Sequence, residues 1–237
     1  MLYPGVALLQ AQGGHSLTFR RLGHGEAHLR LFLLGCGLAM ICEQRGRLVL
    51  HAAALSRADE AVLLCGARGA GKSTTTAALM ARGWKLVSDD VVALDGLQAA
   101  PAMPYLRLWP ASLELLDRSL EAYPRLLPDQ EKRRIPVNRA QFSSRPATVS
   151  MIVALEWGQP LCAQPLSFVP ALMKLVSNSF NAAWGGGGFS PEMAATNFKL
   201  CSDVARRVPV YQLQRPFDQA RMAAFLDLLE GLQPVVL

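Results

Sequence analysis

Two short apolar runs, Leu48 to Ala54 and Ala61 to Cys65, flank the polar stretch Ser56 to Glu60. An apolar run, a polar break and a second apolar run predict a β-hairpin. Beyond it, Thr74 to Arg82 predicts a helix stopped at Gly83. Trp84 to Ser88 predicts a strand, and Val91 to Leu94 extends it past a bend. Tyr105 to Trp109 reads as a further strand. Pro110 opens a helix whose Leu113, Leu116 and Leu120 recur at helical spacing, with Pro124 just past its end. Residues 124–148 are polar, basic and proline-containing, which predicts an exposed loop. Ile152 to Trp157 reads as a strand, Ser167 to Phe180 as a helix, Gly185 to Gly188 as a loop, and Val208 to Leu213 as a strand. Asp218 to Glu230 predicts an amphipathic helix with Met222, Phe225, Leu226 and Leu229 on one face.

Upstream, residues 1–47 predict short strands with glycine-containing turns, such as Gly13-Gly14 and Gly23. The longest apolar run, Leu31 to Cys42, contains two glycines and falls well short of the roughly 20 residues a membrane span needs. It predicts a buried strand or helix. No internal repeat and no clear interdomain linker stand out.

Composition narrows the class. Apolar residues make up 51% of the 237 and charged residues 18%, which favours a folded chain with a large core over disorder. The net charge of +6 suits a protein that holds phosphates or an acidic peptide. No dense basic run interleaved with aromatics points to nucleic acid. Five scattered cysteines without a C-x-x-C pair argue against a disulfide framework or a zinc site, and the expected location is the cytoplasm. The start lacks the features of a signal peptide.

The chemistry begins at Gly66-Ala67-Arg68-Gly69-Ala70-Gly71-Lys72-Ser73, which fits the eight-residue P-loop pattern between a predicted strand and a predicted helix. Its glycines let the backbone curl so that N–H groups face a polyphosphate, and the following helix presents its positive end there. Lys72 adds a charge for the β- and γ-phosphates, and the Ser73 hydroxyl is a ligand for Mg²⁺. Thr74 follows directly. The implied ligand is a purine nucleoside triphosphate with Mg²⁺.

Asp89-Asp90 is the second signal. A helix from Ser73 to Arg82 rises about 15 Å, and a strand of five residues from Trp84 returns about 16 Å. The chain therefore comes back to the P-loop edge at the acidic pair. One carboxylate can hold Mg²⁺ and the other can accept a proton from an attacking hydroxyl. A hairpin turning near Ala58 sets His51 across from Cys65, where it can orient an aspartate or contact a phosphate. Lys132, Arg133 and Arg134, in the predicted basic loop, are candidates to steady a transferring phosphoryl group or to bind a substrate carboxylate.

The segment from Leu50 to Leu94 resembles the core of the bacterial HPr serine kinase/phosphorylase family. It is still more similar to the shorter HPr kinase-like proteins, some of which phosphorylate a serine of lasso-peptide precursors. The likeness rests on the His a short hairpin before the loop, the P-loop, the "ARGWKLVSDD" return and the Asp pair; "YLRLWP" and "EKRRIPV" extend it. The resemblance implies an α/β fold of the HPr kinase and phosphoenolpyruvate carboxykinase type, with a mixed central sheet and flanking helices. It implies a kinase domain over 48–237, after the small β-rich segment read over residues 1–47. It gives Lys72 and Ser73 to triphosphate and Mg²⁺, Asp89 to general base catalysis and Asp90 to the metal, with His51 beside them. This sequence departs from the family at Thr74, where an acidic residue is common, and lacks both the family's Gly-rich signature after the core and the basic C-terminal helix that helps engage HPr.

The expected activity is transfer of the γ-phosphoryl group of ATP to a serine hydroxyl of a peptide or small protein, with a lasso-peptide precursor as the preferred acceptor. Free serine or another small alcohol is a variant. A non-catalytic nucleotide-binding regulator, and a nucleotide hydrolase coupled to motion, are the other readings. No nucleic-acid or membrane partner is expected, and a homo-oligomer is left open.

Overall fold

The computed structural model describes residues 1–23, 25–183, 190–216 and 219–232. The expected loop at Gly185–Gly188 and the expected helix start at Asp218 lie outside them.

The chain opens with three antiparallel strands, β1 (Leu2–Tyr3), β2 (Ala7–Gln12) and β3 (Ser16–Arg21). The rest of the N-terminal segment departs from the short strands expected over 1–47, and the run Leu31 to Cys42 takes the helical one of its two expected forms. It is helical: α1 (Glu26–Phe32), a π-helical segment (Leu33–Gly37) and α2 (Leu38–Gln44). The buried residues Leu29, Phe32, Cys36 and Ala39 recur at helical spacing. Gly37 leaves room for the tip of the Leu17 side chain, which a Cβ there would meet at 2.5 Å and push aside. These elements bury Val6, Leu9 and Phe32 against Val49 and Phe180.

The central layer begins with β4 (Leu48–Leu50), β5 (Ala53–Arg57) and β6 (Glu60–Cys65). The hairpin is β5–β6, closed by Ala58 and Asp59, both at positive φ (50° and 66°), the backbone a two-residue turn needs. Ala53 pairs with Leu64 and Arg57 with Glu60, so the turn is centred one half-residue later than expected. Moreover, β4 leaves the hairpin and pairs with a later strand. His51 therefore sits at the break between β4 and β5 rather than in a ladder opposite Cys65.

Next come α3 (Lys72–Ala81), with Gly83 at φ 92° just past its end, and β7 (Lys85–Ser88), β8 (Val92–Asp95), β9 (Gln98–Ala99) and β10 (Tyr105–Leu108). Helix α4 (Pro110–Leu115) ends a turn earlier than the leucine spacing suggests. The stretch 124–148 is not all exposed loop. It contains β11 (Arg133–Pro136), paired antiparallel with β10, and Ile135 and Val137 enter the core. The long strand β12 (Ala147–Trp157) follows, then β13 (Cys162–Pro165), α5 (Phe168–Ser177), α6 (Phe180–Ala183), α7 (Pro191–Arg207), β14 (Val210–Arg215) and α8 (Met222–Glu230). Helix α7 has no counterpart in the sequence reading.

Among the described residues, nine strands form one mixed sheet in the order β4-β8-β9-β12-β6-β5-β7, with β14 also on β12 and β13 on β14. The pairs β12–β6 and β12–β14 are parallel, and the others are antiparallel. The apolar run of β6 is continuous because both faces are covered. Val62 and Leu64 face α3 and α8, through Leu79 and Phe225. Leu63 and Cys65 face α5 and α7, through Leu175 and Val204. The P-loop leaves this sheet at the end of its doubly buried strand β6, which fixes the loop's root.

Candidate nucleotide and acceptor site

The loop from Gly66 to Gly71 joins β6 to α3. Gly66, Gly69 and Gly71 hold φ of 142°, 85° and 87°, values a side chain resists. At Gly66 a Cβ would also stand 2.6 Å from the Leu155 carbonyl oxygen, and at Gly71 it would stand 1.8 Å from an Arg215 nitrogen. The loop is anchored from several sides. The Gly66 N–H donates to Asn178 Oδ1 at 3.0 Å, Trp157 Nε1 donates to the Gly69 carbonyl at 2.9 Å, and Arg215 donates to the Ala70 carbonyl at 3.3 Å. Lys72 folds into the curl and donates to the Gly66 and Ala67 carbonyls at 2.6 and 3.3 Å. Burial draws the Lys72 pKa down, against the opposing pull of Asp90. Ala67 and Arg68 lie at the exposed tip, and the Thr74 and Ser112 hydroxyls share a hydrogen bond of 2.7 Å.

The turn from β7 to β8 brings the acidic pair to this loop. The Ser73 hydroxyl donates to Asp89 Oδ1 at 3.3 Å. Successive side chains of a strand point to opposite faces. Asp90 escapes that rule because its φ is 78°, in the left-handed region, so the chain swings and both carboxylates reach the same site. Asp89 is buried behind Ser73, while Asp90 lines the cavity itself.

Arg107, which the sequence reading did not single out, binds both acids. Its backbone N–H donates to Asp89 Oδ2 at 2.9 Å and its guanidinium donates to Asp90 Oδ2 at 2.7 Å. On β10 it alternates with the core residues Leu106 and Leu108, which puts it on the site face. The two acids consequently differ. Burial, reinforced by the charge of Asp90, raises the Asp89 pKa. Burial also acts on Asp90, but Arg107, Lys132, His51 and Lys72 outweigh it and hold that carboxyl below its ordinary value.

His51 Nδ1 lies 3.0 Å from the Asp90 carbonyl oxygen and 3.6 Å from Oδ1 of the same residue. A carbonyl only accepts, so Nδ1 carries the hydrogen and Nε2 is left as an acceptor. Burial, with the charge of Lys72, lowers the His51 pKa. The His51 N–H donates to the carbonyl of Asn178 at 2.7 Å, so one residue at the end of α5 ties both His51 and the P-loop root.

The predicted basic trio is split. Lys132 lines the cavity and sits 5.9 Å from the Trp109 ring. Arg133 pairs with Glu131 at 3.3 Å, and Arg134 is exposed on β11. These last two are absent from the cavity lining.

No family model and no curated protein matches the chain. Among solved structures, the chain is similar to the HPr(Ser) kinase/phosphatase from Coxiella burnetii. Identity is 14%, the match covers 77% of this chain and 88% of that one, and the TM-score is 0.39. A likeness that distant carries no argument about activity, and the chemistry here rests on the site itself.

The cavity has a volume of about 690 Å³. One wall is the P-loop with Ser73 and Thr74, and another is Asp90, Arg107, Trp109 and Lys132. The third comes from the N-terminal segment through Leu31, Phe32, Gly35 and Cys36. Gly35 and Cys36 belong to the π-helical segment, a local widening that often accompanies functional sites. Among the described residues, no helix is long and apolar enough to cross a membrane.

Proposed function

We propose that the protein is a phosphotransferase that moves the γ-phosphoryl group of ATP to a serine hydroxyl of a peptide or small protein. The observation that carries this reading is the Ser73–Asp89 contact at 3.3 Å, with Asp90 and Lys132 on the wall of the same cavity. A curled loop of main-chain N–H groups, a lysine and the Asp90 carboxylate then share one opening, with Asp89 directly behind Ser73 at its edge.

The residues present fit Mg²⁺. The Ser73 hydroxyl and the Asp90 carboxylate are hard oxygen donors. Magnesium in phosphoryl-transfer sites takes only one or two carboxylates and completes its shell with phosphates and water. Ser73 and Asp90 would hold it, and it would supply neutralisation of charge on the β- and γ-phosphates. The P-loop amides and Lys72 bind the triphosphate. Lys72 gives up its hydrogen bonds to the Gly66 and Ala67 carbonyls when a phosphate arrives. Asp89 accepts the proton of the acceptor hydroxyl, and His51 orients Asp90 through its carbonyl. The apolar wall of Leu31, Phe32 and Leu127 suits an acceptor carried on a peptide, and a lasso-peptide precursor is the substrate class the sequence resemblance favours.

The test is transfer of label from γ-labelled ATP with Mg²⁺ to serine-containing peptides. The expected result is phosphoserine on a peptide, with slow phosphate release when no acceptor is offered. ATP binding without transfer to any peptide, free serine or other alcohol overturns the kinase reading and leaves a nucleotide-binding regulator. Fast phosphate release without an acceptor identifies a hydrolase.

A further inference from the structure

Arg215 closes β14 at only 5% exposure. Its guanidinium is stacked between two rings, 4.2 Å from the Trp157 centroid and 4.6 Å from that of Phe225. Among the described residues no carboxylate lies within ion-pair reach of it, and its Nε is buried without a hydrogen-bond partner. Burial pushes its pKa down to about 10, so it remains charged at neutral pH. A buried cation without a counter-ion is costly, and cation–π contacts offset only part of that cost.

The uncompensated charge lies directly behind the P-loop. One of its nitrogens donates to the Ala70 carbonyl at 3.3 Å. That carbonyl belongs to the peptide whose N–H is that of Gly71. In a planar trans peptide the two groups point opposite ways. Holding the Ala70 oxygen on the β14 side therefore turns the Gly71 N–H away from Arg215. Gly71 itself lines the cavity. The absent Gly71 side chain is what lets the guanidinium approach so closely, since a Cβ would lie 1.8 Å from it.

Resting on the reading of this loop as a polyphosphate site, we propose that Arg215 is a positioning residue for the P-loop whose buried charge finds its counter-ion only in the bound triphosphate. It does not touch the ligand. It aims one loop N–H and adds a positive field in a region from which water is excluded, where such fields act strongly. The free protein carries an electrostatic penalty that the bound protein does not. Arg215 is thus the link through which β14 and α8, by way of Phe225, are coupled to nucleotide binding.

Thermal unfolding with and without MgATP, together with calorimetric titration of MgATP, tests this in the wild type, R215M, R215Q and R215K. Met fills the slot between the rings without a charge. R215M is expected to leave the midpoint of the free protein unchanged or higher, while MgATP binds about tenfold more weakly or worse. R215Q serves as the neutral variant where R215M does not fold. R215K keeps the charge and is expected to lose less than about threefold. Wild-type affinity in the neutral variants makes the arginine a packing residue and overturns the proposal, as does equal weakening in R215K and R215M. A wild type that binds no MgATP is a different failure, that of the P-loop reading itself.

Discussion

The Arg107 guanidinium donates to the Asp90 carboxylate at 2.7 Å, and both groups are largely withdrawn from solvent. The pair holds Asp90 in its left-handed turn and keeps it ionised. Removing one partner strips the other of its nearest counter-charge in a largely buried site, where Lys132, Lys72 and Asp89 compensate in part, so the cost approaches but does not exceed roughly 3–5 kcal/mol. R107M is therefore expected to lower the urea midpoint clearly, and D90N/R107M to recover part of the loss. A coupling of about 1–3 kcal/mol in the double-mutant cycle is the expected reading. Additive losses would show that the two side chains act independently.

On the proposed phosphotransferase reading, transfer, as opposed to binding, depends on Asp89. D89N keeps the shape: its oxygen can still accept from the Arg107 N–H and its NH2 can donate to the Ser73 hydroxyl oxygen, but it is a poor proton acceptor. The expected loss in transfer rate is about 10²–10⁴-fold, the usual range for a lost general base. The MgATP-induced rise in unfolding temperature should persist. Filter binding or thermal shift beside a γ-label assay separates the two. A D89N protein that transfers at the wild-type rate removes Asp89 from the chemistry.

Gly71 must be glycine for two independent reasons. Its φ is 87°, and the space of a side chain is taken by Arg215. G71A should cost about 1–2 kcal/mol through backbone strain alone, and more through displacement of the guanidinium. Loss of the MgATP-induced thermal shift beyond the loss of stability of the free protein is the expected signature. An unchanged shift would show that the loop tolerates a different path.

How much of this was legible in the sequence depends on how local each feature is. The P-loop and its return to Asp89-Asp90 were legible because they follow from spacing along one strand–helix–strand unit. Arg107 and Arg215 are not, because their partners lie 17 and 145 residues away in sequence and only tertiary packing brings them together. Asn178 is likewise invisible until the end of α5 is seated beside the loop. The run Leu31 to Cys42 leaves strand and helix equally open in the sequence because it is apolar almost throughout, with Gly35 and Gly37 hiding the period; burial at Leu29, Phe32, Cys36 and Ala39 reveals the helix. For α7 the signal was present. Ser190 caps it, accepting from the Met193 N–H at 3.4 Å, with Pro191 next, and Cys201, Val204, Ala205 and Val208 are buried at helical spacing. Its exposed first half, including Phe198, masks the pattern. The basic trio was read as one cluster, yet strand pairing of Arg133 to Pro136 sends its members in different directions and leaves only Lys132 on the cavity.

Glu43, away from the main cavity, gives the fold a pH dependence. It lies near the end of α2 in a second cleft of about 390 Å³, shared with Arg47, Glu192 and Asn197. Its Oε1 is buried without a hydrogen-bond partner, and burial raises its pKa from 4.5 to about 8. The folded state therefore holds a proton that the unfolded chain releases above about pH 4.5. Stability from this group is fully present below that value. It falls as pH climbs through 8 and then levels off. After a discount for the partial exposure of the residue, the loss is about 2 kcal/mol or more. E43Q removes the titration while keeping the shape, so it should match the wild type near pH 4.5 and exceed it in stability at pH 9. Chemical denaturation at the two pH values measures the difference. Parallel pH profiles for the two proteins would mean that Glu43 meets water in solution and ionises freely.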